Sequence, residues 1–344
     1  MQPHLRRTLS WSILIAALTL LAFWPGVSGG FLFDDYPNIV KQERVHVTEL
    51  SVESLSEAWS AFSIGPFGRP LAMVTFAVDH YFSGLDPRGY KITGLAIHAI
   101  NALLVFALLA MLLRLRPGKG EEGLAIAAIL AILWAVHPLQ VSTVLYVVQR
   151  METLSLSFVL LALIAYLHGR TLQVSGRRAW PWLLACPPLV GLGLLSKETA
   201  ALFPALTLAL ELTVLRFSCK SEQTARLLKW AYGTMAAAGA AIFLFYIVPH
   251  YATEEIYAIR SFTLEERLLT QLRVLPTYLL WILVPQPASY SFYYDTYQAS
   301  EGLLSPVTTL LGGLFLAALV AAAVLARRKI PLFSLGIAWF FVAH

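Results

Sequence analysis

The chain has 344 residues, of which 58% are hydrophobic and only 13% charged, with a formal net charge of +5. That much apolar side chain cannot be covered by so little polar surface, so composition excludes a water-soluble globular enzyme and predicts an all-α integral membrane protein. The basic balance reads as a membrane-topology signal, not a nucleic-acid one.

Taken in chain order, apolar runs over 9–25, 90–113, 123–138, 148–167, 181–195, 199–215, 228–249 and 302–326 approach the length of a helical span, and 331–343 begins another. The expectation is about nine transmembrane helices, the last incomplete. Several runs are short, so tilt, bilayer thinning or burial among neighbours must help them. The first follows Arg6 and Arg7 and ends in Trp24-Pro25. A signal peptide is the alternative there, but the amount of apolar sequence that follows favours an anchored span.

A cytoplasmic N-terminus places 15 of the 25 Lys and Arg in the inner connections. They are Arg6, Arg7, Arg114, Arg116, Lys119, Arg170, Arg177, Arg178, Arg216, Lys220, Arg226, Lys229, Arg327, Arg328 and Lys329. Only Glu121, Glu122, Glu211 and Glu222 accompany them, which is the asymmetry expected of an inner face.

Two long outer regions, 28–89 and 250–301, stand against short inner connections, and long ordered loops on a rigid scaffold are where function tends to sit. In the first, Thr48 to Phe62 reads as an interfacial helix with Thr48 and Ser51 as candidate caps. A Gly65-Pro66-Phe67-Gly68 turn then leads to Arg69-Pro70 and a short helix over 71–82, which stops before Asp86-Pro87-Arg88-Gly89. In the second, 268–284 reads as a re-entrant or interfacial helix, because a further crossing would put Arg327, Arg328 and Lys329 outside. Cys186 and Cys219 lie in an apolar span and an inner loop, so no disulfide is expected. The whole of 1–344 reads as one polytopic domain, and an end inside an apolar run predicts a C-terminal continuation.

The chemistry centres on Asp34 and Asp35, in Phe-Leu-Phe-Asp-Asp-Tyr-Pro at the outer mouth of the first span. Adjacent carboxylates cannot both ionise freely, so one is drawn toward the range of a general base. The alternative is that they only cap a turn. No Gly-rich phosphate loop or Walker sequence occurs, which argues against a Rossmann-type nucleotide-sugar site and against ATP-driven transport.

Phe33 to Val40 (Phe-Asp-Asp-Tyr-Pro-Asn-Ile-Val), Arg69-Pro70-Leu71, Gly89-Tyr90-Lys91 with His98 and Asn101, His137-Pro138-Leu139-Gln140, Gln149-Arg150-Met151-Glu152 and Leu195-Ser196-Lys197-Glu198-Thr199 occur in that order. Their succession resembles the transmembrane, tetratricopeptide-repeat O-mannosyltransferase family, part of the GT-C class of polyprenyl-phosphate-sugar glycosyltransferases. The resemblance covers essentially the whole chain, although none of the family's C-terminal repeats is present, which leaves acceptor recognition open. It implies a GT-C-like fold, a sugar donor on a polyprenyl phosphate, a protein hydroxyl or glycan acceptor, and an outer-loop acid as catalytic base or metal ligand. That acid maps onto Asp34 and Asp35.

A lipid phosphate needs cations at the outer face, and Arg69, Arg150 and Lys197 stand at expected outer helix ends. Each has a plainer reading as a snorkelling or paired side chain, Lys197 with Glu198 and Arg150 with Glu152. Glu152 and Glu198 are also candidates for shaping the acceptor pocket. His98 and His137, with His80, could join the acids around a divalent metal, but their spacing is no ligand signature and hydrogen-bonded membrane histidines are commoner. No cofactor is called for with certainty, and a divalent metal stays open. The run Tyr290 to Tyr297 is either an interfacial aromatic belt or a platform closing over the sugar, with Tyr294 and Asp295 facing it.

These readings converge on a membrane glycosyltransferase whose partners are a polyprenyl-phosphate sugar, an acceptor and membrane lipids, with no nucleic acid. Two alternatives remain: a flippase for a lipid-linked saccharide using Lys197, Glu198, Arg150 and Glu152 as its polar path, and a membrane anchor for a missing repeat domain. No inverted repeat supports the first.

Overall fold

The structure, a computed structural model, describes residues 3–62, 67–115, 120–253, 257–258, 260–291, 293–294 and 297–344. Among these the chain is all-helical and contains no strand. Six helical stretches are long and apolar enough to cross a membrane: Leu5–Ser28, Pro87–Arg114, Val147–Val174, Glu198–Leu215, Glu222–Tyr251 and Thr308–Ala326. Three further apolar helices, Glu122–Ala135, Trp180–Leu194 and Pro331–Ala343, are shorter. The protein is therefore an integral membrane protein, but of the nine expected spans only six reach crossing length among the described residues.

The chain divides into two compact units, Met1–Gln173 with Arg177–Phe203, and Val174–Gly176 with Pro204–His344. The first holds α1 (Pro3–Phe23), α2 (Val52–Trp59), α3 (Pro70–Ser83), α4 (Pro87–Arg114), α5 (Gly120–Ala135), α6 (Gln140–Leu145), α7 (Arg150–Val174) as far as Gln173, and α8 (Trp180–Leu194). α1, α4 and α5 pack against one another, and α3 packs on both α2 and α4.

Local chemistry explains the outer elements. Ser51 caps α2 through the Ser54 amide, in a reciprocal capping box with the Ser54 hydroxyl, while Thr48 lies outside the helix. Pro70 opens α3, where its missing N–H costs nothing, after two left-handed residues, Gly68 (φ 66°) and Arg69 (φ 49°). The Asp86-Pro87 break is the start of the next helix: the Asp86 carboxylate accepts from the Arg88 amide and α4 runs on for 28 residues.

The first outer region has a core of its own, in which Ile39, Val45, Met73, Phe76 and Tyr90 meet Tyr146, Val147 and Met151. Burying that many side chains at about 1.5–3 kcal/mol each holds the region against the membrane helices. Beneath it, Phe23 and Val27 at the end of the first span pack on Leu95 and Val144.

The second unit contains α9 (Phe203–Leu210, all but its first residue), α10 (Glu222–Ile242), α11 (Val248–Tyr251), α12 (Leu264–Leu283), α13 (Thr308–Ala326) and α14 (Pro331–Ala343). α12 covers 268–283 of the expected 268–284 helix and is not among the helices of crossing length and apolarity. It packs against α13, and α13 against α14.

Candidate functional site

The two acids part company in space. Asp34 is exposed, whereas Asp35 is fully buried. The Asp35 carboxylate accepts from the Leu32 amide at 2.9 Å and from the Val148 amide at 2.7 Å. It thereby ties the first outer region to the turn before α7. Burial raises its pKa above the usual Asp value, opposed by the backbone amides that bond it and by the charge of Lys91.

Asp34 is held by Tyr146. The tyrosine hydroxyl accepts from the Asp34 amide at 2.7 Å and also bonds the Asp34 carboxylate. Burial, foremost, pushes the Tyr146 pKa up to about 12, so the hydroxyl keeps its proton and serves Asp34 as a donor. The backbone here is strained: Phe33 has φ 36°, in the left-handed region a bulky side chain avoids, and the π-helical turn Tyr36–Val40 follows. Strain of this kind concentrates at working sites.

The expected cations fall into two classes. Arg69 and Lys197 are part-exposed, and each is paired with a carboxylate from another part of the chain. Arg69 pairs with Glu198 at 3.0 Å, and Lys197 pairs with Glu152 at 2.8 Å. The Arg69 guanidinium also bonds the Met151 sulfur and lies 5.0 Å from the Phe62 ring. The Leu71 amide donates to the Leu195 carbonyl, fastening the start of α3 beside Lys197 and Glu198. Arg150, by contrast, is 2% exposed. It pairs with Asp79 at 2.5 Å, donates to the Tyr90 carbonyl and sits over the Phe76 ring. The partners expected from sequence proximity, Lys197 with Glu198 and Arg150 with Glu152, are not the ones formed, because neighbours on a helix start point away from each other.

The segment 146–152 therefore touches both groups of residues. Tyr146 holds Asp34, Val148 holds Asp35, Met151 contacts Arg69 and Glu152 holds Lys197. These contacts lie within about 10 Å of helical rise.

His98 and His137 take other places. The His98 ring bonds the Ala135 carbonyl at 2.8 Å and packs edge-on against Phe23, joining three helices. His137 Nδ1 accepts from the Leu139 amide in its own turn. His80 stacks on His46 with ring centroids 4.6 Å apart. Among the described residues no three His, Cys, Asp or Glu side chains converge as a metal site, so those side chains alone do not make one.

Tyr294 belongs to the second unit, where its hydroxyl donates to the Ser289 carbonyl and its ring packs on Trp281. Asp295 lies outside the described residues. Three residues of the site had no assigned role in the sequence. Tyr146 and Asp79 carry no motif of their own. Lys91, buried beside Gly29 and acting electrostatically on Asp35, stood in the Gly89-Tyr90-Lys91 motif without a role of its own, near the start of a long apolar helix.

Known proteins support the resemblance. The chain is 28% identical over 162 residues to the mouse "Protein O-mannosyl-transferase TMTC3", matching 46% of this chain and 17% of that protein. It is 29% identical over 172 residues to mouse TMTC4, covering 45% and 23%, and 28% identical over 209 residues to Drosophila melanogaster Tmtc1, covering 58% and 23%. This chain resembles the TMTC O-mannosyltransferases. It spans less than a quarter of the length of these relatives. No family model matches, and no solved structure matches significantly.

Proposed function

We propose that this chain carries the membrane-embedded catalytic part of a glycosyltransferase that moves mannose from a polyprenyl phosphate to a protein hydroxyl, with inversion, at the non-cytoplasmic face. The observation that carries this reading is the 146–152 segment, which holds an exposed carboxylate and two accessible cations close to one another.

Asp34 is the base. It takes the proton of the acceptor Ser or Thr as that oxygen attacks the anomeric carbon, while the bond from that carbon to the phosphate oxygen breaks on the opposite face. The lipid phosphate leaves with the bonding electrons and needs positive charge. Arg69 and Lys197 supply it: both ion pairs are part-exposed, so a phosphate can reach the two cations and compete with their carboxylate partners. Glu198 and Glu152 then become free to bond sugar or acceptor hydroxyls. Arg150 is left out, because uncoupling its buried pair with Asp79 costs about 3–5 kcal/mol. Tyr146 orients Asp34, and Asp35 with Lys91 anchors the loop that bears it.

The test is donor choice. The purified chain, given a Ser/Thr peptide, is predicted to transfer labelled mannose from polyprenyl-phosphate mannose and not from GDP-mannose. Transfer from the nucleotide sugar, or translocation of the labelled lipid with no transfer, contradicts the reading.

A further inference from the structure

An apolar groove of about 350 Å³ runs along the second unit between α9 with the turn after it, α13 and α14. Its walls include Leu208, Leu212, Val320, Ile337 and Phe341, and Arg327 stands on its rim. The hydroxyls facing it are spent on the backbone: Thr213 donates to the Ala209 carbonyl and Ser334 to the Ala323 carbonyl. Such a surface takes a hydrocarbon chain and offers water nothing. From Ala205 to Thr213 the helix rises about 12 Å, close to half of a bilayer's ~30 Å hydrocarbon core.

The charge at one end of the groove decides the occupant. Arg327 follows the last turn of α13, is exposed, and has no ion pair among the described residues. Arg328 and Lys329 come next, and the Arg216 guanidinium donates to the Arg328 carbonyl at 2.9 Å, adding a fourth cation to the cluster. We infer that the groove holds one acyl chain of an anionic phospholipid, with its phosphate on Arg327. A zwitterionic lipid would fill the groove but cancel its own charge at the rim. Basic clusters at the end of a membrane helix select anionic headgroups for this reason. The inference stands apart from the proposed sugar transfer, which uses only the first unit.

The test is lipid retention by the full chain, purified from bilayers of mixed phosphatidylcholine and phosphatidylglycerol and read by native mass spectrometry. Wild type is predicted to keep phosphatidylglycerol in preference to phosphatidylcholine. Arg327→Gln should lower the retained phosphatidylglycerol about five-fold and leave phosphatidylcholine unchanged. Ala338→Trp, which fills the groove, should lower both. If that variant fails to fold, the exposed Arg327→Gln change carries the test alone. Equal retention of the two lipids by wild type, wild-type retention of phosphatidylglycerol by Arg327→Gln, or displacement of phosphatidylglycerol by polyprenyl phosphate overturns the inference.

Discussion

Asp34 and Asp35 share a peptide bond and face different media, one solvent and one protein interior. That difference is why chemistry is proposed for Asp34 and architecture for Asp35, since only an exposed carboxylate can reach an incoming hydroxyl. Burial raises the Asp35 pKa, so over a window above the usual Asp value of about 3.9 the folded chain holds a proton that the unfolded chain releases. Its contribution to stability therefore grows as pH falls and is lost as pH rises through the raised value. Thermal melts of wild type and Asp35→Asn in detergent, between about pH 7 and pH 4.5, are expected to show wild type gaining on the variant toward acid. A difference that does not change with pH contradicts this.

At the scale of elements, the start of α7 does most of the organising. Arg150 is locked beneath Phe76 and Tyr90 by Asp79, and this pair fixes α3 and α4 against α7. Asp79→Ala leaves a buried guanidinium without its counter-ion and is predicted to cost about 3–5 kcal/mol in stability, read by chemical denaturation in micelles. A loss below about 1 kcal/mol would mean that water reaches the pair. The helices themselves were legible in the sequence, because a run of apolar residues is a local signal and so is a proline at a helix start. The partners were not. Tyr146 meets Asp34 across 112 residues, and nothing near either one announces the other. Arg150 looked like an outer-face cation because it begins a helix, but its burial depends on α3 and α4 packing over it.

At the scale of the whole molecule, the sidedness proposed for the site rests on the distribution of Lys and Arg. Single cysteines at Asp34 and at Lys220, in a background with Cys186 and Cys219 replaced, are expected to react with a membrane-impermeant maleimide from opposite sides, position 34 from the non-cytoplasmic one. The reverse pattern would put the site where no outer acceptor can reach it. Hydropathy located the apolar runs, yet among the described residues six helices and not nine reach crossing length, because helix ends are set by prolines and caps as well as by apolar content. The account rests most directly on the division of labour between the two acids, and one comparison tests it: mannosyl transfer and melting temperature measured together for Asp34→Asn and Asp35→Asn. Asp34→Asn is predicted to lose about 10²–10⁴-fold in transfer while melting like wild type. Asp35→Asn is predicted to lose about 1–3 kcal/mol of stability, as a buried amide goes unpaired. Full transfer by Asp34→Asn would contradict the account.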